Sequence, residues 1–369
     1  MAPGPHSPAI TLRENEPLAP KTTLDLGGAA SWLTVADSEE VVVDALRWAG
    51  DREIPVTVLG GGSNVVVSDG GIDGLVVQIA MGGVEISRNP DGAVVTAAAG
   101  EPWDEVVALT VEEQLAGLEC LSGIPGTTGA TPIQNVGAYG VEVGEVLASV
   151  RLLDRMTANV RDVLPDELGL GYRTSRLRRE PGRFIVLSAS FRLRSGCGPR
   201  IRYPELALML EARSTDPGPL DVRQAVLELR RSKSMVIDPD DPNHRSAGSF
   251  FKNPVLSRAV VENLAYRVGQ TGIAEQPPLF PTDGGFKVPA GWLIEHAGFK
   301  KGLRRGRVGL STRHSLALVN LGGGTTSELL SLAREIQTGV RQRFGIVLEP
   351  EPVFLGFDTT NPLHDAPEF

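Results

Sequence analysis

VLGGGSNVVVSDGGIDGLVV, residues 58–77, runs an apolar strand into three consecutive glycines and a Ser-Asn pair, then returns to VVV and, past further glycines, to LVV. Successive glycines let the backbone fold tightly and turn several N–H groups toward one point, a nest suited to a pyrophosphate. Gly60, Gly61 and Gly62 would supply those amides, and Ser63 and Asn64 side-chain donors. The same residues could close a plain hairpin turn. The stretch is not a GxGxxG that opens a helix, so a dinucleotide-binding Rossmann domain is disfavoured.

Working outward, VVVDALRWAG (41–50) reads as a helix, and PVTVLG (55–60), LVVQI (75–79) and AVVTAAAG (93–100) as strands bounded by glycine. EPWDEVVALTVEEQLAGLECL (101–121) reads as one helix, with Pro102 in its first turn and Glu101, Asp104 and Glu105 at its positive end. Strands resume at 150–154, 159–164 and 184–194, and a helix is expected over 221–235. After the connector DPDDPNHRS come helices at 255–265 and 289–299 and a strand at 315–321. TTSELLSLAREIQTGVRQRFG (325–345) is the cleanest helix: Thr325 and Glu328 form a capping box, Leu329, Leu332, Ile336, Val340 and Phe344 line one face, and Gly345 closes it. GGG at 322–324 reads as a left-handed connection to that helix, and 346–356 as a proline-interrupted strand. Residues 1 to about 20 and 357–369 read as frayed tails.

The chain has 369 residues, enough for two or three domains, and 43 glycines, well above an average usage of ~7%. A net charge of −9 argues against a nucleic-acid binder. Cys120 and Cys197 form no CxxC, so neither a metal site nor a disulfide framework is expected, and two reduced thiols are. No segment is apolar over signal-peptide or membrane-span length, so the expectation is a cytoplasmic protein with no membrane association.

Four further segments carry chemistry. SGIPGTTGATPIQNVGAYGVEVGE (122–145) holds six glycines and two prolines in 24 residues, a loop long enough to suggest function, suited to lie against a flat ligand. Its Tyr139 could stack, hydrogen-bond or be a buried structural residue. In GLGYRTSRLRRE (169–180), Arg173 could present its fork to a carboxylate or belong to a solvated basic turn. In RSAGSFFKNP (245–254), Ser249 is held between Gly248 and two phenylalanines near Lys252. In LEPEPVFLG (348–356), Glu349 and Glu351 should face one way if the backbone stays extended; two surface acids on an edge strand are the plainer alternative.

GGGSN, GIPGTTGATPIQNVGAYGVEV, GYRTS, GSFFKNP, AGWLIEHAGF, LALVN and LEPEPVFLG occur in that order, and the ordered set closely resembles the UDP-N-acetylenolpyruvoylglucosamine reductase family from about residue 20 to residue 356. GLECLSGIPG and LLDR are similar to its actinobacterial branch. The resemblance implies an α+β protein: a two-subdomain FAD-binding fold of the vanillyl-alcohol oxidase superfamily, plus a C-terminal α+β substrate-binding domain. The expected divisions are 1–83, rejoined by a strand at about 350–357, then 84–235, 236–349 and a flexible tail, 358–369.

The resemblance further implies non-covalent FAD, reduced by NADPH, which leaves before UDP-N-acetylglucosamine enolpyruvate enters and is reduced to UDP-N-acetylmuramate, in a monomer. His6, His244, His296, His314 and His364 offer no covalent linkage motif. Gly60, Gly61, Gly62, Ser63, Asn64, Gly123, Ile124, Pro125, Gly126, Gly129, Ala130, Gln134, Asn135, Gly137, Ala138 and Tyr139 would hold the flavin. Arg173, Ser249 and Glu351 match the catalytic arginine, proton donor and glutamate; Tyr172, Tyr203, Lys233 and Asn253 match substrate contacts, Tyr203 on a mobile loop. Hydride delivery to the enol-ether carbon leaves charge that spreads into the carboxylate, so donors are needed there. Glu351 can help only when protonated or through a bridging water, and Lys252 is one candidate to stabilise the Ser249 alkoxide. MVIDPDDPNHRS (235–246) departs from the family pattern, and the basic KKGLRRGR (300–307) reads as a solvated loop or an anion-steering one. A flavin alcohol or sugar oxidase and a catalytically silent nucleotide-sugar binder are the alternatives.

Overall fold

The structure is a computed structural model that describes residues 10–196, 198–282 and 284–363. The chain divides into two units: one of residues up to 16, 30–62 and 72–236, the other of 17–29, 63–71 and 237 onward.

The first unit carries two larger sheets and a short hairpin of Gly137–Ala138 with Val141–Glu142. In one, Ala29–Ala36 and Val56–Leu59 flank Ile72–Ile79 in parallel, with Arg13–Pro17 on the outer edge. The expected frayed N-terminus is thus corrected: Ile10 and Leu12 pack against the core, and the polar segment Arg13–Pro17 pairs along the sheet edge; residues 1–9 lie outside the description. Helix Glu39–Gly50 follows, its first turn capped by Ser38, whose side chain accepts from Val41 N–H. The second sheet is antiparallel, ordered Asn159–Val163, Leu147–Asp154, Phe184–Ser195, Gly92–Ala98, Val84–Asn89. Alternating residues of its central strand, Ile185, Leu187, Ala189, Phe191 and Leu193, are buried with Trp103, Val107 and Leu115 in one core.

The helix expected over 101–121 is shorter. It spans Trp103–Glu112; Gln114 takes a φ of 57° and Gly117 one of 143°, and a two-residue strand at Leu115–Ala116 pairs with the long central strand. The apolar period runs on, but left-handed backbone at these positions ends the helix. Pro204–Glu211, not anticipated, forms a helix that buries Leu206 and Leu210 among Val222, Ala225, Val226 and Leu229 of helix Pro219–Ser232.

The second unit has its own core, gathered around helix Thr326–Phe344. Leu329, Leu332, Ile336, Val340 and Phe344 are all buried, Thr325 and Glu328 form the capping box, and Gly345 closes the helix at φ 72°. Asp69 adds what local sequence does not show: its carboxylate accepts from Thr326 N–H (2.7 Å), Ser327 N–H (2.8 Å) and Ser327 Oγ (2.6 Å). Strand Val353–Leu355 pairs in parallel with Val65–Val67. The strand expected over 346–356 shrinks to these three residues because Pro350 and Pro352 cannot donate to a ladder. Nor is the tail free as far as residue 363: Leu363 is buried in this core, and Pro362 O accepts from Arg334.

Candidate functional site

Within the first unit the two glycine-rich stretches meet. A Cβ on Gly61 would stand 2.8 Å from Gly126 Cα, a backbone contact that only glycine permits, and one on Gly60 would stand 2.7 Å from the Thr127 hydroxyl, which would have to turn away. Residues 126–129 are themselves tied down: Trp103 N–H donates to Gly126 O (3.0 Å), Thr128 N–H to Glu101 O (2.8 Å) and Gly129 N–H to Ala99 O (2.9 Å). The loop's start is anchored by Asp104, which accepts from Gly123 N–H (2.6 Å) and from both ends of Arg223 (2.5 and 2.9 Å). Burial, the largest influence on Asp104, raises its pKa, but these donors together hold the carboxyl below its ordinary value. Asp104 is therefore more than a dipole partner for its helix, a role visible only once the loop is placed.

Arg173 stands in a turn with a φ of 53°. Its guanidinium donates to Gly137 O at 2.6 Å and lies 5.3 Å from the centre of the Tyr172 ring. Asn135 (φ 48°) is buried and spans the region: Nδ2 donates to Glu142 (2.6 Å) and Gly171 O (3.1 Å), and Oδ1 accepts from Gly144 N–H (2.9 Å). Gln134 accepts from Arg178 at 2.9 Å. Arg173, Asn135 and Tyr139 (φ 51°) all hold left-handed backbone that costs ordinary residues of order 1 kcal/mol, and such strain gathers at functional sites.

Tyr139 meets Tyr203 edge-on, ring centres 5.3 Å apart at 88°. Burial pushes the Tyr139 phenol up to about 12, so at neutral pH it is a hydrogen-bonding group and not a base. Tyr203, expected on a mobile loop, stands at the N-cap of helix Pro204–Glu211, and Lys233 pairs with Glu205 of that helix at 2.6 Å. Arg230, buried nearby, donates to Met235 O (2.6 Å); no periodicity singles it out from its arginine neighbours.

In the second unit the two expected catalytic segments run side by side. Phe251 and Pro350 form an antiparallel bridge, Glu351 N–H donates to Phe250 O at 2.8 Å, and Lys252 N–H to Glu349 O at 2.9 Å. Ser249 and Glu351 are thus on neighbouring backbones, both partly exposed. Burial alternates along 346–354, so Glu349 and Glu351 share the outer face while Pro350 and Pro352 point in, as an extended backbone requires. Asn64 joins the group: its Nδ2 donates to Glu351 O (3.4 Å) and its O accepts from Val353 N–H (2.9 Å). Thr23, not singled out by sequence, links the start of both stretches through Oγ1 to Ser246 O (2.6 Å) and Ser63 O (3.4 Å).

Two expectations shift. Lys252 Nζ lies 3.4 Å from Glu349 Oε2, so the ammonium has a carboxylate partner. Asn253 Oδ1 accepts from Ala290 N–H (2.9 Å), so this expected substrate contact also caps helix Ala290–His296. Cys120 is buried, with its thiol pushed up to about 12 by that burial, and is inert; Cys197, His6 and His364 lie outside the described residues. Among the described residues no cluster of three or more His, Cys, Asp or Glu is placed to hold a metal.

Residues 30–163 match an FAD binding domain, and 240–355 match the C-terminal domain of UDP-N-acetylenolpyruvoylglucosamine reductase. The enzyme of that name from Saccharopolyspora erythraea is 51% identical over 92% of this chain and 94% of its own length. The chain belongs to the UDP-N-acetylenolpyruvoylglucosamine reductase family. The family's Nocardia farcinica member is 49% identical over 94% of this chain and 90% of its own. The crystal structure of the reductase from Thermus caldophilus superposes with a TM-score of 0.63 at 26% identity, covering 94% of this chain and 98% of that one. The α+β flavoprotein fold and the actinobacterial branch expected from sequence are therefore those of this family, and the chain is an FAD-binding oxidoreductase. The abutting loops 60–62 and 126–129 both fall inside the matched FAD-binding region, and their glycine-only approach fits a cofactor gripped by backbone amides.

Proposed function

We propose that this chain catalyses the NADPH-dependent reduction of UDP-N-acetylglucosamine enolpyruvate to UDP-N-acetylmuramate in peptidoglycan precursor synthesis, the step on which wall growth, cell shape and division depend. Family membership sets the reaction class. The observation that supports the residue roles is the Phe251–Pro350 bridge, which runs the Ser249 segment alongside the Glu351 segment, with Asn64 against the latter.

The proposed organisation is a first flavin-binding subdomain (1–83, rejoined at about 350–357), a second (84–235) and a substrate-binding domain (236–349). Gly60, Gly61, Gly62, Ser63 and Asn64, with the 123–139 segment, would hold FAD without a covalent bond. Bound FAD supplies the hydride, with electrons taken from NADPH. Arg173, permanently protonated, binds the substrate carboxylate and neutralises the charge that gathers there during reduction. Ser249 Oγ–H gives its proton to the carbon next to the carboxylate. Glu351 is the third member of the catalytic set. Tyr172, Tyr203, Lys233 and Asn253 bind the remainder of the substrate, Lys233 its diphosphate. No helix among the described residues is long and apolar enough to cross a membrane. We place the enzyme in the cytoplasm, as a monomer, where its nucleotide-sugar substrate is free in solution.

Anaerobic reduction of the bound flavin by NADPH, followed by addition of UDP-N-acetylglucosamine enolpyruvate, tests the whole reading. Prompt reoxidation is expected. A flavin that stays reduced until oxygen enters would point to an oxidase, and a protein without flavin would remove the proposal's basis.

A further inference from the structure

Lys233 and Glu205 form an ion pair of 2.6 Å between two helices whose relative placement is set by packing. Glu205 is the second residue of helix Pro204–Glu211, and Lys233 is the C-cap of helix Pro219–Ser232. Leu206 and Leu210, fully buried among Val222, Ala225, Val226 and Leu229, lock the shorter helix onto the longer one. That packing brings the Glu205 carboxylate within reach of the Lys233 ammonium. Tyr203, the N-cap of the same short helix, leans on Tyr139. One helix start therefore carries both a residue assigned to the substrate and the carboxylate that occupies another.

We propose that Glu205 is an internal competitor for the anion site at Lys233, its carboxylate holding in the ligand-free protein the place that the substrate's diphosphate takes. The inference rests on the assignment of Lys233 to the diphosphate. Three physical features support it. The two side chains keep 33% and 47% of their exposure, so water screens the pair and its breaking costs little. A diphosphate carries more charge than one carboxylate and wins the ammonium on Coulomb grounds. A released Glu205 is not stranded, because it lies in the first turn of its helix, where the positive end favours an acid. Affinity for the nucleotide is thereby set below what Lys233 alone would give, which eases product release and weakens substrate binding alike.

The test measures UDP binding to the flavin-loaded enzyme by calorimetry in a four-member cycle: wild type, Glu205→Gln, Lys233→Met and the double variant. Glu205→Gln is expected to bind UDP about fivefold more tightly, because the competitor and its repulsion are both gone. In the Lys233→Met background the same change should lose most of its effect. Unchanged or weaker binding by Glu205→Gln, with Lys233→Met weakened, would overturn the competitor role and leave the Lys233 assignment intact. Unchanged binding by Lys233→Met would remove that assignment, and the competitor with it.

Discussion

Ser249 is the residue on which the proposed chemistry turns. Ser249→Ala removes a proton donor and nothing that reduction of the flavin by NADPH requires. Stopped-flow should therefore show the first half-reaction nearly intact and the second slowed roughly 100-fold or more; equal loss in both would sink the donor role. The glycines admit a sharper contrast. Gly61→Ala drives a Cβ to 2.8 Å from backbone at Gly126, whereas a Cβ at Gly50 meets nothing within 4 Å. Flavin absorbance per mole of purified protein should drop strongly in Gly61→Ala and stay at the wild-type level in Gly50→Ala, whose melting temperature should hold or rise slightly. The identities of these residues are legible in the sequence, since glycine runs and an isolated serine between glycine and aromatics are unusual. Their backbone states are not. Nothing local to Arg173 announces a φ of 53°, and nothing near Lys252 announces its pairing with Glu349, because both depend on chain far away in sequence.

Elements show the same division between local and distant causes. Helix Thr326–Phe344 is readable end to end, because its capping box, apolar stripe and closing glycine are all written within it. Its third anchor, Asp69, is 257 residues from Thr326 and leaves no mark in the helix sequence. Asp69→Ala removes three hydrogen bonds and the helix-end charge, and urea unfolding should register a loss of about 1–2 kcal/mol. The carboxylate also sets a pH dependence. Burial raises its pKa, but the donors from Ser327 and Thr326 outweigh this and hold it below its ordinary value. A depressed folded-state pKa gives stability that is present above the unfolded value, near 4, and is lost as pH falls through the folded one. Asp69→Asn should therefore flatten part of the stability loss below about pH 4 and leave the neutral region level; an acid limb of unchanged slope would show that other carboxylates carry it. The helix over 101–121 fails in the opposite way. Its apolar pattern continues past Glu112, and the break comes from left-handed backbone at Gln114 and Gly117, with Leu115–Ala116 drawn into a sheet strand that is formed 80 residues later.

At the scale of the molecule, the chain changes unit five times, after residues 16, 29, 62, 71 and 236. Two of the second unit's three pieces are short and come early, and they are not accessory. Leu24, Leu26 and Val66 are buried in its core, and Val65–Val67 is the partner of strand Val353–Leu355. Asn320, itself buried, donates to the carbonyls of Leu24 and Asp25, so the early segment also satisfies polar groups of the late one. A fragment starting at residue 237 would expose the apolar surface these pieces cover and leave the 353–355 strand without its ladder. Such an edge with an open core favours association over folding. Residues 237–369 expressed alone should show a broad, non-cooperative melt and a tendency to aggregate, although a C-terminal family domain can be matched to 240–355. Supplying 17–71 in trans, or fusing it ahead of the fragment through a flexible linker, should restore a cooperative transition by circular dichroism. A sharp melt from the fragment alone would mean that the core closes without Leu24, Leu26 and Val66, and that the early pieces are held by the unit without being needed to form it.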